Sequence, residues 1–309
     1  IYCAYGQKEK EMICELCPHR CGVDRRQARG ACGAPDALRV SRVSRHAYEE
    51  PCISGTRGSG TGFFSGCVLS CVFCQNKPIS RDLIGEDISV RRLSELFLEL
   101  QSSGVHNINL VTPTQYTDKI CEALAAVRGE LHIPVVWNSS GYDSVETLRR
   151  LEGLVQVYMP DFKYAKKAPA KRYSAAENYP EVAMAAIREM YRQRGPYRLD
   201  GEGMLQSGLL IRHLILPGQE LNAMDVIDFV AEEFPKGSVL FSLMSQYTPM
   251  PDLEQYPELM ERVDPEVNDM LIAYMQKMGI EDGYWQEGES ATEEMIPAFD
   301  LTGIIRNDP

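Results

Sequence analysis

The sequence predicts an α/β fold: a partial (βα)6 TIM-like barrel with a small N-terminal cysteine-rich metal-binding lobe and a C-terminal extension. Three observations carry this expectation. Short apolar or β-branched runs at 61–66, 107–112, 134–139, 155–161, 208–215 and 238–243 alternate with amphipathic patterns, which is the mark of βαβ units around a buried parallel sheet. Six such units make an open barrel rather than a closed eightfold one. Cys14, Cys17, Cys21 and Cys32, then Cys67, Cys71 and Cys74, form two tight groups at the N-terminal end. Charge also shifts along the chain. Residues 1–80 hold eleven Lys/Arg against seven Asp/Glu, whereas 251–309 hold three against fifteen. The divisions expected are a lobe and glycine-rich loop at 1–60, a barrel at 61–250 and an acidic extension at 251–309.

Composition limits the function classes. A chain of 309 residues with 44% hydrophobic and 25% charged residues has ordinary globular values and can bury a sizeable core. A net charge of −12 argues against general nucleic-acid binding. No apolar run approaches the roughly 18 residues a membrane span needs. Clustered cysteines in a chain of this size favour metal in a reducing compartment, so a cytoplasmic address is expected. The first residue is Ile1, which leaves the chain's own start open.

In chain order, Cys3 is isolated and reads as an ordinary thiol. Cys14-x2-Cys17-Pro-His-Arg-Cys21, with Cys32 inside Gly30-Ala31-Cys32-Gly33, reads as a metal-organised lobe too short to fold on apolar burial. Zinc and an additional iron–sulfur cluster both suit these thiolates. His19 is able to replace one cysteine, although a His in so tight a loop more often faces solvent. Residues 49–62 read as an extended glycine-rich loop, either approaching a ligand or connecting lobe to barrel. Without Gly-Lys-Ser/Thr it is no phosphate loop. Cys52 reads as a core thiol.

The loop Gly66-Cys67-Val68-Leu69-Ser70-Cys71-Val72-Phe73-Cys74 places three cysteines at C-x3-C-x2-C spacing. Three thiolates hold three irons of a [4Fe-4S] cluster. The next cysteine is distant Cys121, which leaves one iron open to a small molecule. A zinc knuckle or three buried thiols is the competing interpretation. Ser89 is the expected cap of a helix carrying Leu93, Leu96, Phe97 and Leu100. Further helices are expected near 115–128, 143–152, 180–194 and 222–234, the last capped by Asn222. In the extension, Leu259, Met260, Val263, Val267, Met270, Leu271, Tyr274 and Met275 are expected on one helix face. Tyr284, Trp285, Ile296 and Phe299 are expected to pack back on the barrel.

Parallel barrels place their chemistry at the C-terminal ends of strands. Here those ends carry Thr112-Pro113-Thr114, Asn138-Ser139-Ser140-Gly141, Asp161-Phe162-Lys163, Arg212-His213 and Ser245-Gln246. Each alone reads as turn chemistry; their recurrence at one end of one barrel points to a site.

The cysteine loop, with Phe73 just before its third cysteine, resembles the radical S-adenosylmethionine (SAM) superfamily signature. Together with the strand ends it resembles pyruvate formate-lyase activating enzymes and their relatives over nearly the whole chain. The likeness is greatest to a branch with an N-terminal cysteine lobe and the stretch His106-Asn107-Ile108-Asn109-Leu110-Val111-Thr112-Pro113. The resemblance implies a [4Fe-4S] cluster on Cys67, Cys71 and Cys74, with SAM on its open iron and Phe73 near the adenine. Thr112 stands where the family has a glycine-rich motif that receives the methionine end of SAM. Asn138 and Ser139 replace an Asp-Thr pair whose Asp helps hold a monovalent cation. Asp161 and Lys163 match an Asp-x-Lys motif that contacts SAM, and Arg212 and His213 a strand-end pair that meets its ribose or carboxylate; Gln246 would line the substrate side. The implied activity is that of an anaerobic radical SAM oxidoreductase. It would cleave SAM reductively and abstract hydrogen from a glycine of a glycyl radical enzyme, from another peptide or from a small molecule. A reducing partner such as flavodoxin or ferredoxin and a protein or peptide substrate follow. The non-enzymatic alternative is a zinc-stabilised protein-binding module.

Overall fold

The computed structural model describes residues 13–285 and 297–304; Cys3 and Ile296 lie outside them. Its strands are β1 (Leu38–His46), β2 (Ser59–Phe64), β3 (Glu86–Ile88), β4 (Ile108–Val111), β5 (Val135–Ser139), β6 (Val157–Pro160), β7 (Arg198–Leu199), β8 (Leu205–Leu214), β9 (Leu240–Met244) and β10 (Gly283–Trp285). One sheet runs β10-β9-β8-β6-β5-β4-β2-β1-β3, with β7 on β8. All neighbours from β2 to β10 along that path are parallel. The six expected strands are present. β10 adds a seventh parallel strand from the acidic extension, and β1 adds an antiparallel one on β2.

Alternation along the strands sorts side chains onto two faces. Trp137, Tyr158, Leu209 and Phe241 belong to the larger core shared with the helices. Val136, Val157, Leu210 and Leu240 form a second cluster on the other, inner face. The helix Val90–Ser102 buries Leu93, Leu96, Phe97 and Leu100, and the Ser89 hydroxyl accepts the Arg92 N–H at 3.0 Å. A cap of this kind stabilises by about 1 kcal/mol.

Residues 49–62 differ from the expected loop. The short helix Pro51–Ser54 lies on the inner face, where Cys52 and Ile53 join Val136, Val157 and Met159. The barrel interior is plugged by the chain's own N-terminal segment, and Cys52 is the expected core thiol. The plug is neither a flexible connector nor an extended loop, because two buried apolar side chains anchor it.

Asn222 is not a cap. Its helix starts earlier, at Glu220, and its side chain accepts the Ala165 N–H at 2.9 Å and donates to the Lys163 carbonyl at 3.1 Å. It braces the segment that follows β6. In the extension the helix is Pro265–Lys277, capped by the Asp264 carboxylate. Leu259 ends a separate 3-10 turn, so Met260 falls outside the helix and is exposed, as is Met270. Residues 297–304 return to β1: Val43 N–H donates to Thr302 O at 2.9 Å and Leu301 N–H to Ser41 O at 3.1 Å. Phe299 sits edge-on to Phe63, with centroids 5.5 Å apart. Among the described residues no helix is long and apolar enough to cross a membrane.

Candidate active site

A cavity of about 280 Å³ opens at the C-terminal ends of the parallel strands. It brings together Cys67, Cys71, Cys74, Phe73, Thr112, Asn138, Ser139, Asp161, Lys163, Arg212 and Gln246, residues spread over nearly 180 positions. The strands do this by register: Val111 is opposite Asn138, and Asp161 bridges to Arg212.

The cysteine loop leaves β2 through Gly66, whose φ of 86° is left-handed. A Cβ there would meet the Cys32 carbonyl at 3.0 Å and Ala34 Cβ at 2.9 Å, so glycine is required. Behind it, buried Gln115 spreads its amide over the carbonyls of Ser65, Gly66 and Thr112 at 3.2, 2.9 and 2.8 Å. This ties the cysteine loop to the end of β4. Thr112 itself has a φ of 54°. That is a conformation more natural to glycine, held here at the rim of the cavity.

Each of the three thiols has a polar neighbour. Leu69 N–H points to Cys67 Sγ at 3.4 Å, Ser174 Oγ lies 3.0 Å from Cys71 Sγ, and Ser80 Oγ lies 3.4 Å from Cys74 Sγ. Burial, reinforced by Cys71 and Cys74, pushes the Cys67 thiol up to about 12. Among the described residues no three His, Cys, Asp or Glu side chains stand close enough to share one metal ion. The set fits a cluster better than a single ion, since each thiolate then holds its own iron and donors to the sulfurs tune it. Cys121 is elsewhere, its Sγ facing the Arg150 carbonyl at 3.6 Å.

Opposite the thiols lies a charged floor centred on Arg212. Its guanidinium donates to Asp161 Oδ1 at 3.0 Å, Glu49 Oε2 at 3.0 Å and Asn138 Oδ1 at 2.7 Å. Lys163 Nζ donates to Asp161 Oδ2 at 2.6 Å. Burial works against a charge on Asp161, but Lys163 and Arg212 outweigh it and hold its carboxyl below the usual range. Burial likewise opposes the Lys163 charge, and Asp161 reverses the outcome, keeping the ammonium protonated. One of three ammonium protons is committed to Asp161, which leaves donors for a ligand. The Tyr179 hydroxyl supports this corner, lying 2.7 Å from the Asp161 carbonyl and accepting the Lys163 N–H at 2.9 Å. Gly141 permits it, since a Cβ there would collide with the Asp161 carbonyl.

Ser139 lines the cavity, yet its hydroxyl donates to Asp143 at 2.5 Å, beside Thr114 at 2.7 Å. His213 is not in the cavity. Adjacent strand residues face opposite sides, so with Arg212 inside, His213 turns into the core, where its Nδ1 lies 2.7 Å from the Phe162 carbonyl. Burial holds it at about 4, a neutral ring. It is a satisfied core histidine rather than a cofactor contact.

Sequence reasoning missed Glu49 and Glu50, which the plug carries to the floor. Glu49 Oε1 accepts from Asn109 at 2.8 Å and Asn138 at 3.3 Å. Glu50 is 3.8 Å from Arg212, and its buried Oε2 has no hydrogen bond. Burial raises its carboxyl above the ordinary range although Arg212 pulls the other way. A raised acid contributes stability that is full below its unfolded pKa of about 4.3 and lost as pH rises through the folded value. Glu50→Gln is therefore expected to raise unfolding stability by roughly 1 kcal/mol at pH 8 and by nothing at pH 4. Urea melts at the two pH values check this.

None of the four lobe cysteines, Cys14, Cys17, Cys21 and Cys32, lines the cavity. The Cys32 carbonyl accepts the Cys67 N–H at 3.2 Å. His19 does not face solvent: its Nε2 lies 2.7 Å from the Val68 carbonyl and its ring meets Tyr142 edge-on.

No family model matches the chain. A protein of Methanocaldococcus jannaschii described as uncharacterised is 28% identical over 277 residues, covering 87% of this chain and 75% of its own length. Crystal structures of Streptococcus suis SuiB are similar in fold. The form bound to S-adenosylmethionine matches with a TM-score of 0.53 at 13% identity, over 75% of this chain and 51% of SuiB. The form bound to the precursor peptide SuiA matches with a TM-score of 0.50 at 14% identity, over 72% and 46%. The chain spans about half the length of SuiB, and the likeness is one of fold, a mixed α/β architecture that in this chain is built on a mostly parallel sheet.

Proposed function

We propose that this chain is a radical SAM enzyme. The observation that carries the reading is one cavity lined by Cys67, Cys71 and Cys74 on one side and by Asp161, Lys163 and Arg212 on the other. The SAM-bound form of SuiB, which shares the fold, supports it. When bound and reduced, a [4Fe-4S] cluster there would supply the electron for reductive cleavage of SAM to methionine and a 5′-deoxyadenosyl radical, which would take hydrogen from a substrate. Cys67, Cys71 and Cys74 hold that cluster. The free donors of Lys163 take the SAM carboxylate, and Asp161, fixed by Arg212, sets the position of Lys163. Phe73, buried and edge-on to Tyr247, gives the adenine an apolar wall.

The substrate we assign is a peptide chain, supported by the peptide-bound form of SuiB. Abstraction from a backbone glycine, as in activation of a glycyl radical enzyme, and radical modification of another peptide are the two forms of that reading. A low-potential protein donor such as flavodoxin or ferredoxin supplies the electron. The test is anaerobic reconstitution with iron and sulfide, reduction by dithionite and addition of SAM. Brown protein and 5′-deoxyadenosine are expected. Fully reconstituted protein that makes none, or colourless protein carrying zinc alone, overturns the reading.

A further inference from the structure

The N-terminal lobe, residues 13–37, is held together by surprisingly little. Its buried apolar side chains among the described residues are Cys17, Cys32 and Ala34. Burial at about 25 cal/mol per Å² cannot order some twenty-five residues from so small a core. No disulfide joins the described cysteines. A lobe of this size needs another crosslink.

The backbone gathers four thiols where that crosslink would be. Ile13 bridges to Asp24, and Cys14 N–H donates to Val23 O at 2.9 Å while Gly22 N–H returns to Cys14 O at 3.1 Å. The hairpin so closed carries Cys17 at its turn, where Arg20 N–H meets the Cys17 carbonyl at 3.0 Å. Cys21 Sγ occupies the space over Gly30, where a Cβ would stand only 2.7 Å away. The next turn, closed by Gly33 N–H to Gly30 O at 3.0 Å, presents Cys32. Cys21 Sγ also lies 4.0 Å from the Cys14 carbonyl, across the hairpin.

We infer that Cys14, Cys17, Cys21 and Cys32 hold a second iron–sulfur cluster, docked against the loop that carries Cys67. Four thiolates and no open position suit a closed [4Fe-4S] centre. A single zinc ion on the same four thiolates is the competing outcome that metal analysis separates. The docking is specific. Cys32 O receives the Cys67 N–H, and His19 meets Val68 O, so both neighbours at the start of the second thiol loop are fixed by the first. Leu16 O, between Cys14 and Cys17, accepts the Thr147 hydroxyl at 2.7 Å and anchors the lobe to the barrel. The centre is a brace for the cavity's thiol wall as well as for the lobe.

This inference stands whether or not the cavity performs radical chemistry, and iron counts separate the two. Anaerobically reconstituted wild type is expected to carry about eight irons and eight sulfides per chain. The triple variant Cys67→Ala/Cys71→Ala/Cys74→Ala is expected to keep about four of each and its brown colour. The pair Cys17→Ala/Cys32→Ala is expected to lose about four irons. A folded triple variant that carries no iron, whether empty or holding one zinc, overturns the second cluster. Where the triple variant fails to fold, an unchanged iron count in the Cys17→Ala/Cys32→Ala pair overturns it equally. Loss of 5′-deoxyadenosine formation with eight irons present would sink the radical reading and leave this one intact.

Discussion

Cys71→Ala is expected to abolish 5′-deoxyadenosine formation while leaving the metal-free fold in place. Cys71 is the middle thiol of the cavity wall, and its sulfur meets Ser174 Oγ at 3.0 Å. On the proposed reading its removal would strip one iron of its protein ligand, and neither Cys52 nor Cys121 is placed to replace it. Cys121 faces the Arg150 carbonyl, and Cys52 is sealed in the plug. The iron count should fall by about four per chain. Removal of one sulfur beside a cavity changes metal-free stability by about 1 kcal/mol or less. Cys121→Ala serves as the control and should retain full iron and full turnover. Iron analysis with chromatography of the nucleoside product checks both. Unchanged product from Cys71→Ala would remove the cavity thiols from the reaction.

Arg212→Met should be the most damaging single change on the floor. Arg212, whose side chain is 14% exposed, joins Asp161, Glu49 and Asn138 through three bonds of 2.7–3.0 Å. Deleting one partner of a buried ionic set leaves the others uncompensated, at about 3–5 kcal/mol. The loss should appear in urea unfolding of metal-free protein, and SAM affinity should fall with it because Asp161 no longer fixes Lys163. Arg212→Lys should rescue little, since one ammonium cannot reproduce the planar fork. Adding Glu49→Gln to Arg212→Met should recover part of the stability but none of the SAM affinity. If that double variant bound SAM normally, the positioning role of Arg212 would fail.

The six barrel strands were legible because buried parallel strands are runs such as Val135-Val136-Trp137, unlike anything a helix face needs. Cys67, Cys71, Cys74, Asn138, Asp161, Lys163 and Arg212 were legible because parallel topology sends all strand ends to one place. β1 left a trace that went unread: Leu38, Val40 and Val43 recur between arginines and serines as in a half-buried strand. β10 is three residues long in an acidic stretch and leaves none. His213 was misplaced because a strand-end pair cannot both face inward. Glu49 and Glu50 carry no local sign of their role; side by side in a glycine-rich stretch they look solvated, and only the plug makes them interior. Asn222 looked like a cap because caps and loop braces use the same amide.

The plug also bears on the order in which the molecule assembles. Glu49 and Arg212 are 163 residues apart in sequence. Closing so long a loop is slow compared with pairing adjacent strands. A growing chain can therefore form β4, β5 and β6 against their own helices long before β8 arrives to meet the waiting glutamates. Until then Glu49 and Glu50 lack the Arg212 guanidinium that faces them in the finished fold. The cavity's binding surface is thus among the last parts of the protein to mature, and chain segments ending before β8 should fold into sheet without acquiring a site.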